Sequence, residues 1–410
     1  MSSSVRVQLV DPSAFTPPYD HALAAALARA GADVELVTSR FAYGTVPRGD
    51  GYVVNEAFYR IAPGAAGSRS RMLAKLAQHV PDMLRYARHA RAADVVHFQW
   101  LSVQPVDVHL LPLLRRGAGR HGGGRPLVLT AHDVLPREPR PGQLDAQRRL
   151  YERVDAVVVH SEHGAARLRD ELRVDPAKVH VIPHGAFTHF VPGPPPAAAP
   201  AAGAASGAEP AVASTTRESV AAPARPLPPE LAAVPRERPV VLMFGLLRPY
   251  KGLDVLLEAW RGIEDAELWV VGLPKLDLAP LRAVAPPNVR FVSRFVADDE
   301  IAAFFQRADL VVLPYREIDQ SGVLFTALGF GTPLLLSAVG GFPEVAATGA
   351  AELVPPGDPA ALHTALVRLL ADPAARARLA AAARTAAAGQ YSWDAIGQQT
   401  LSVYRSLLSR

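Results

Sequence analysis

The sequence contains no cysteine, which removes disulfide frameworks, thiolate metal sites and cysteine nucleophiles at once. It has no apolar run approaching the ~20 residues needed to cross a bilayer. Met1 to Val10 lack the basic-then-apolar build of a secretory leader, so a soluble, cytoplasmic protein is expected. A strong charge of either sign is missing too. A net +4 over 410 residues, with no nucleic-acid-binding module, argues against a nucleic-acid partner. What is present is a globular composition, 49% hydrophobic and 20% charged, which excludes disorder throughout. The length exceeds what one hydrophobic core usually supports, so two domains are expected.

Proline and charge locate the division. Twelve of the 38 prolines lie between Val191 and Pro239, interleaved with alanine. That stretch carries no helical or strand periodicity and reads as a disordered or semi-extended linker. Residues 1–190 carry a net +6 and residues 239–410 a net −2. The excess concentrates in residues 60–125, with 11 basic and 3 acidic side chains.

Each half alternates short apolar runs with helical patterns. The runs in the first half are Val5–Val10, Val34–Thr38, Asp94–Phe98, Leu127–Thr130, Ala156–His160 and Val179–Ile182. In the second half they are Val240–Phe244, Glu267–Val271, Val289–Val292, Leu310–Leu313, Leu334–Ser337 and Glu352–Val354. Near-continuous Val/Leu runs between helices indicate buried parallel strands. The fold class is therefore α/β, with two Rossmann-like doubly wound domains facing across a cleft and binding loops at the carboxyl ends of the strands.

The most informative segment is Phe244-Gly245-Leu246-Leu247-Arg248-Pro249-Tyr250-Lys251-Gly252. Two cations three residues apart, between a strand end and a helix start, suit a diphosphate. Arginine offers a planar fork, lysine a point charge, and free helix N–H groups add donors. The plainer alternative is a solvated basic turn. In Pro314–Ala327, Ser321 and Gly322 open a helix where a hydroxyl and backbone N–H groups can meet a phosphate oxygen, or where the serine simply caps. His132-Asp133 follows the strand Leu127–Thr130, at the cleft edge. Asp298-Asp299 precede a helical stretch and read as capping acids rather than metal ligands.

The Phe244–Trp260 block resembles the donor-phosphate segment of family 4 retaining glycosyltransferases, which have the two-domain glycosyltransferase-B fold. Val181-Ile182-Pro183-His184-Gly185 is similar to the motif closing that family's first domain. Gly340-Gly341-Phe342-Pro343-Glu344 resembles its glycine-rich donor loop. The stretch from Pro356 through Ser392-Trp393-Asp394 to Tyr404 resembles its ending, a last helix that crosses back onto the first domain.

The resemblance implies four segments: an acceptor-side domain at 1–190, a linker at 191–238, a nucleotide-sugar-binding domain at 239–390 and a returning helix at 391–410. It implies transfer of a hexose-type sugar from a UDP-, GDP- or dTDP-linked donor to an acceptor hydroxyl, without cofactor or metal. Arg248 and Lys251 would hold the diphosphate, with Gly245, Ser321, Gly322, Gly341 and Glu344 nearby. His132 would meet the transferred sugar.

Many family members carry two glutamates eight apart in the donor loop; counted from Gly322 the first position falls on Asp319, and counted from Gly331 and Pro333 the second falls on Thr326, which implies a one-residue deletion between them. Asp319, or else Glu317, would stand in for the sugar-binding acid, while Thr326 is a poor substitute for the ribose-binding one. The family's first glycine-rich loop is replaced by Thr16–His21, where Tyr19, Asp20 and His21 are candidate acceptor contacts. Trp100 offers either a stacking face or core packing. A donor-hydrolysing or epimerising enzyme and a non-catalytic partner subunit are the rival readings.

Arg69, Arg71, Lys75, Arg85, Arg88 and Arg91 interleave with Met72, Leu73, Leu76, Met83 and Leu84. This pattern fits peripheral contact with an anionic membrane at the inner face and a lipid-linked acceptor. It equally fits steering of a phosphorylated small-molecule or saccharide acceptor, or plain solvation. Pro81 is expected to split the stretch into two short helices.

Overall fold

The computed structural model describes residues 4–41, 50–61, 68–115, 124–135, 141–191 and 225–410. The first half runs β1 (Arg6–Asp11), α1 (Pro17–Arg29), β2 (Asp33–Ser39), β3 (Tyr52–Phe58), α2 (Arg69–His89) and β4 (Val95–Phe98). It continues through α3 (Gln104–Leu114), β5 (Leu127–Thr130), α4 (Gln143–Arg153), β6 (Ala156–Val159), α5 (Glu162–Asp170) and β7 (Val179–Val181). These strands form one parallel sheet in the order β3-β2-β1-β4-β5-β6-β7.

The second half opens on a short α6 (Pro229–Ala232) and continues through β8 (Val240–Phe244), α7 (Leu253–Ala259), β9 (Glu267–Val271), α8 (Ala279–Val284) and β10 (Val289–Val292). Next come α9 (Asp298–Arg307), β11 (Leu310–Leu313), α10 (Gly322–Phe330), β12 (Leu334–Ser337), α11 (Phe342–Ala346) and β13 (Ala351–Val354). Three helices end the chain: α12 (Pro359–Ala371), α13 (Pro373–Ala388) and α14 (Trp393–Leu408). The second sheet is also parallel, in the order β10-β9-β8-β11-β12-β13. Helices cover both faces of each sheet, so strands such as Ala156–Val159 and Val240–Met243 are buried throughout.

Two sequence expectations change here. Tyr52–Phe58 is an extra strand at the sheet edge. Only Phe58 of it is buried and Asn55-Glu56 interrupt its apolar residues, so it lacks the solid apolar run of its neighbours. The basic stretch is one helix, α2, continuous through Pro81. Proline removes one backbone bond, but Ala77 and Pro81 both face solvent, so water can satisfy the freed carbonyl. Buried contacts flank it: His79 Nε2 lies 2.6 Å from Asp107 Oδ1, and Asp82 accepts the Tyr59 N–H at 2.8 Å. Those anchors flank the proline within one continuous helix.

The expected linker at 191–238 falls mostly outside the described residues. From Arg225 the chain is in place: its N–H donates to the Asp299 carbonyl at 2.9 Å, and Leu231 is buried. At the other end α14 packs across α1. Gly397 makes this close approach practicable, because a Cβ there would stand 2.7 Å from the Ala26 carbonyl oxygen. Tyr404 on α14 reaches His97 on β4 at 2.6 Å.

Candidate functional site

Both sheets reverse their strand order once, between β1 and β4 and between β8 and β11. Such switch points leave a crevice at the carboxyl ends of the strands, where ligands bind in this architecture. The loops at these points carry Ser13–Thr16 and Gln99–Val103 in the first half, and Gly245–Lys251 and Pro314–Ser321 in the second.

In the second half Lys251 is buried at the end of a short 3-10 turn, with its Nζ 5.0 Å from the Tyr315 ring centroid. The ammonium passes directly over Gly245, whose φ is +102°. A Cβ there would meet Lys251 Nζ at 3.2 Å and the Val323 methyl at 3.0 Å. Arg248 begins the same turn and is half-buried. Ser321 is the residue before α10, but its hydroxyl caps no N–H of that helix. Thr326 donates its hydroxyl to the Gly322 carbonyl at 2.9 Å, within the helix. Glu317 lies on the surface.

The two carboxylates assigned to the donor loops cross the cleft. Asp319 is buried; its Oδ2 accepts the Val134 N–H at 3.0 Å and its Oδ1 takes Arg167 Nη1 at 2.6 Å. Glu344 accepts the first N–H groups of α5, from Glu162 and His163, both at 3.2 Å. A negative side chain at a helix start is favourable twice over, through hydrogen bonds and the helix dipole. Gly341 completes the seam, for a Cβ there would lie 2.9 Å from the Ser161 Cβ. These contacts bring the Asp319–Gly322 loop against the loop that carries His132, and the Gly340–Glu344 loop against the start of α5.

His132 is fixed on several sides. The Trp100 ring stacks on it at 5.0 Å and 11°, and Tyr19 meets it edge-on at 4.7 Å. Its Nδ1 lies 3.3 Å from His160 Nε2, and its Nε2 lies 3.3 Å from Gln99 Oε1. Burial, then the neighbouring His160, His184 and His97, hold its pKa well below the ordinary imidazole value. Burial lowers His160 to about 4 and His97 to about 3. The cluster is neutral at physiological pH, so His132 offers one donor and one acceptor. A cavity of about 150 Å³ opens beside it, lined by Gln99, Trp100, Gln104, His132, Asp133 and Gln147 among others.

The remaining acceptor-side candidates divide. Trp100 lines this cavity, its Nε1–H donating to the Thr16 hydroxyl at 2.9 Å. Tyr19 is buried against His132, His160, His184 and Trp393. Asp20 and His21 are not brought to the cleft. His21 pairs with the Tyr52 hydroxyl at 2.6 Å. Asp20 is buried beside Asp11, and burial followed by the Asp11 charge raises its pKa well above the carboxylate range. Asp11 in turn accepts the N–H groups of Ser13, Phe15 and Thr16. The Asp11 carboxyl thereby shapes the 13–16 loop.

Asp298 and Asp299 occupy the first turn of α9, where burial and then Asp299 raise Asp298 to about 6. Among the described residues no group of three or more His, Asp or Glu could hold a metal ion. Arg167 and His160 escaped the sequence reading. Arg167 sits beside Glu171 at helical spacing, which reads as a solvated ion pair. His160 ends a strand at its carboxyl edge, and that position alone could have flagged it.

Residues 19–189 match the family model for Glycosyltransferase Family 4, and residues 238–372 match the model for Glycosyl transferases group 1. A D-inositol 3-phosphate glycosyltransferase from Kineococcus radiotolerans is 28% identical, over 93% of this chain and 88% of its own. A phosphatidyl-myo-inositol mannosyltransferase from Mycobacterium leprae is 35% identical, over 44% of this chain and 50% of its own. The solved HepE of Anabaena, in complex with UDP and glucose, superposes with a TM-score of 0.68 at 16% identity, covering 98% of this chain and all of that one.

Proposed function

Because the chain belongs to family 4 of the retaining glycosyltransferases, we propose that Arg248 and Lys251 hold the diphosphate of its nucleotide-sugar donor while His132 meets the transferred sugar across the cleft. The enzyme moves a sugar from a nucleotide diphosphate to an acceptor hydroxyl. As the anomeric bond breaks, charge grows on the leaving diphosphate. Two preorganised cations in a partly dry loop stabilise that charge without having to rearrange. Ser321 and the N–H groups opening α10 add donors to the same anion. One observation carries this reading: Asp319 accepts the Val134 N–H, so the donor loop lies two residues from His132.

The acceptor in this reading is an inositol-phosphate-type polyol, free or lipid-borne, by analogy with the names of the two curated relatives. It enters the cavity beside Trp100 and Gln147. α2 supports a lipid-borne acceptor. Met72, Leu73 and Leu76 are more than half exposed, Val80 and Leu84 somewhat less, and Arg69, Arg71, Arg85 and Arg88 flank them. Among the described residues no helix is long and apolar enough to cross a membrane, so contact would be peripheral, at an anionic cytoplasmic face.

Titrating UDP-, GDP- and dTDP-sugars by calorimetry, then mass spectrometry of products from inositol phosphate and phosphatidylinositol, tests the proposal. Binding of one donor that Arg248→Ala abolishes is the expected result. Unchanged donor affinity in Arg248→Ala would refute the assignment.

A further inference from the structure

The histidines at the ends of β5 and β6 form a hydrogen-bonded line with a definite direction. It starts at Ile182, in the Val181–Gly185 segment, whose carbonyl oxygen lies 3.0 Å from His160 Nδ1. A carbonyl can only accept, so His160 Nδ1 carries the proton. His160 is neutral, so its Nε2 holds a lone pair, and that lone pair faces His132 Nδ1 at 3.3 Å. His132 Nδ1 must then carry the proton, which leaves the lone pair of His132 on Nε2.

The far end of the line agrees. Gln99 is fully buried, and its amide nitrogen has no partner while its oxygen stands 3.3 Å from His132 Nε2. Exchanging the two amide atoms, which differ little in shape, places an N–H on that lone pair and leaves the amide oxygen, rather than a donor, at the position without a partner. The opposite assignment sets a lone pair of His160 against the Ile182 carbonyl and leaves the Gln99 nitrogen unsatisfied. Only one set of protons satisfies both ends.

From this we infer that His160 is a positioning residue that holds His132 in its Nδ1–H tautomer and so presents an Nε2 hydrogen-bond acceptor to a hydroxyl of the transferred sugar. Trp100 and Tyr19 hold the ring plane, and a half-turn within that plane would set carbon in place of both nitrogens and forfeit the His160 contact. A sugar hydroxyl donating to Nε2 displaces only the long contact with the Gln99 amide. A donor sugar lacking that hydroxyl leaves Nε2 with only this long amide contact and forgoes the shorter hydrogen bond, which is where discrimination between sugars arises. This inference rests on the reading that His132 meets the sugar, but the tautomer does not.

The two parts are therefore tested separately. Long-range proton–nitrogen correlation spectra of the full chain, labelled with ¹⁵N-histidine and assigned through the signals lost in His132→Gln, read the tautomer directly. The expected pattern is a pyrrole-type Nδ1 and a pyridine-type Nε2 at His132; the reverse pattern in the wild type overturns the inference without any variant. Kinetics then use GDP-mannose or UDP-glucose, whichever turns over, and its monodeoxy analogues. His160→Phe offers no acceptor to Nδ1, so the proton of His132 moves to Nε2. It is expected to lower kcat/KM for the parent donor about tenfold while leaving one deoxy analogue unaffected. His160→Gln, which returns a carbonyl oxygen near the lost ring nitrogen, is expected to restore the parent rate within about twofold and to retain the tautomer. Equal losses on the parent and every deoxy analogue would reduce His160 to a packing residue.

Discussion

Arg167 on α5 and Asp319 in the loop before α10 meet at 2.6 Å across the cleft between the two sheets. The carboxylate is buried and the guanidinium a quarter exposed, so the pair is only partly screened. Its partner contact, Val134 N–H to Asp319 Oδ2, ties the same acid to the loop that carries His132. The two halves are thereby tied where the loop of Asp319 faces the loop of His132.

Removing Arg167 leaves the buried Asp319 with the Val134 N–H and, 3.9 Å away, His163 Nε2. Arg167→Ala is expected to cost roughly 2 kcal/mol and to raise the donor KM more than it lowers kcat, because closure becomes less favourable. Urea denaturation and steady-state kinetics measure the two effects. A variant with unaltered KM would show that the latch does not take part in closure.

Arg248→Ala and Lys251→Ala are each expected to reduce kcat/KM by about 10²-fold or more. Gly245→Ala should produce a comparable loss with both cations still present. Its φ of +102° disfavours any side chain, and the new methyl would meet Lys251 Nζ. Circular dichroism and donor titration together separate a displaced lysine from a misfolded domain.

The buried histidines make the fold acid-sensitive. His160 and His97 are lowered by burial from 6.5 to about 4 and about 3, and His132 and His184 are lowered well below 6.5. The unfolded chain thus takes up protons near pH 6.5 that the folded chain refuses. Their contribution to stability is complete above that pH and is lost as pH falls toward 4. Chemical denaturation between pH 7.5 and 4.5 should show stability level down to about pH 6.5 and falling below it, less steeply in His160→Gln. A flat profile would contradict the neutral cluster.

Leu73→Glu with Leu76→Glu is expected to leave thermal stability nearly unchanged, since both side chains are more than half exposed. Binding to phosphatidylcholine vesicles doped with phosphatidylinositol should weaken at least tenfold, on the order of the loss from two buried apolar anchors. Flotation assays at two salt concentrations separate this apolar term from the arginine term. Equal binding by wild type and variant would remove α2 from the membrane-facing surface.

The parallel strands that position the site were readable because buried strands leave solid Val/Leu runs, as in Ala156–Val159 and Val240–Phe244. Tyr52–Phe58 left no such run, since an edge strand is only half buried. Pro81 misled for the opposite reason. A local rule about a missing N–H was outweighed by His79 and Asp82, whose partners Asp107 and Tyr59 lie far away in sequence.

The sequence by itself determined the two sheets, the cation turn at Arg248–Lys251 and the polar pair after β5, because strand periodicity and helix starts are local properties. Only the tertiary structure decided what those residues touch. Asp319 and Glu344 sit in donor-loop segments by sequence, yet their carboxylates bind Arg167, Val134 and the start of α5 in the other half. Asp20 and His21 turned inward, to Asp11 and Tyr52. The direction of the Ile182–His160–His132 line depends on atoms contributed by three separate strand ends. Hydrogen bonds act over about 3 Å whatever the distance along the chain, so partners as far apart as Val134 and Asp319, separated by 185 residues, leave no periodic trace for a sequence to show.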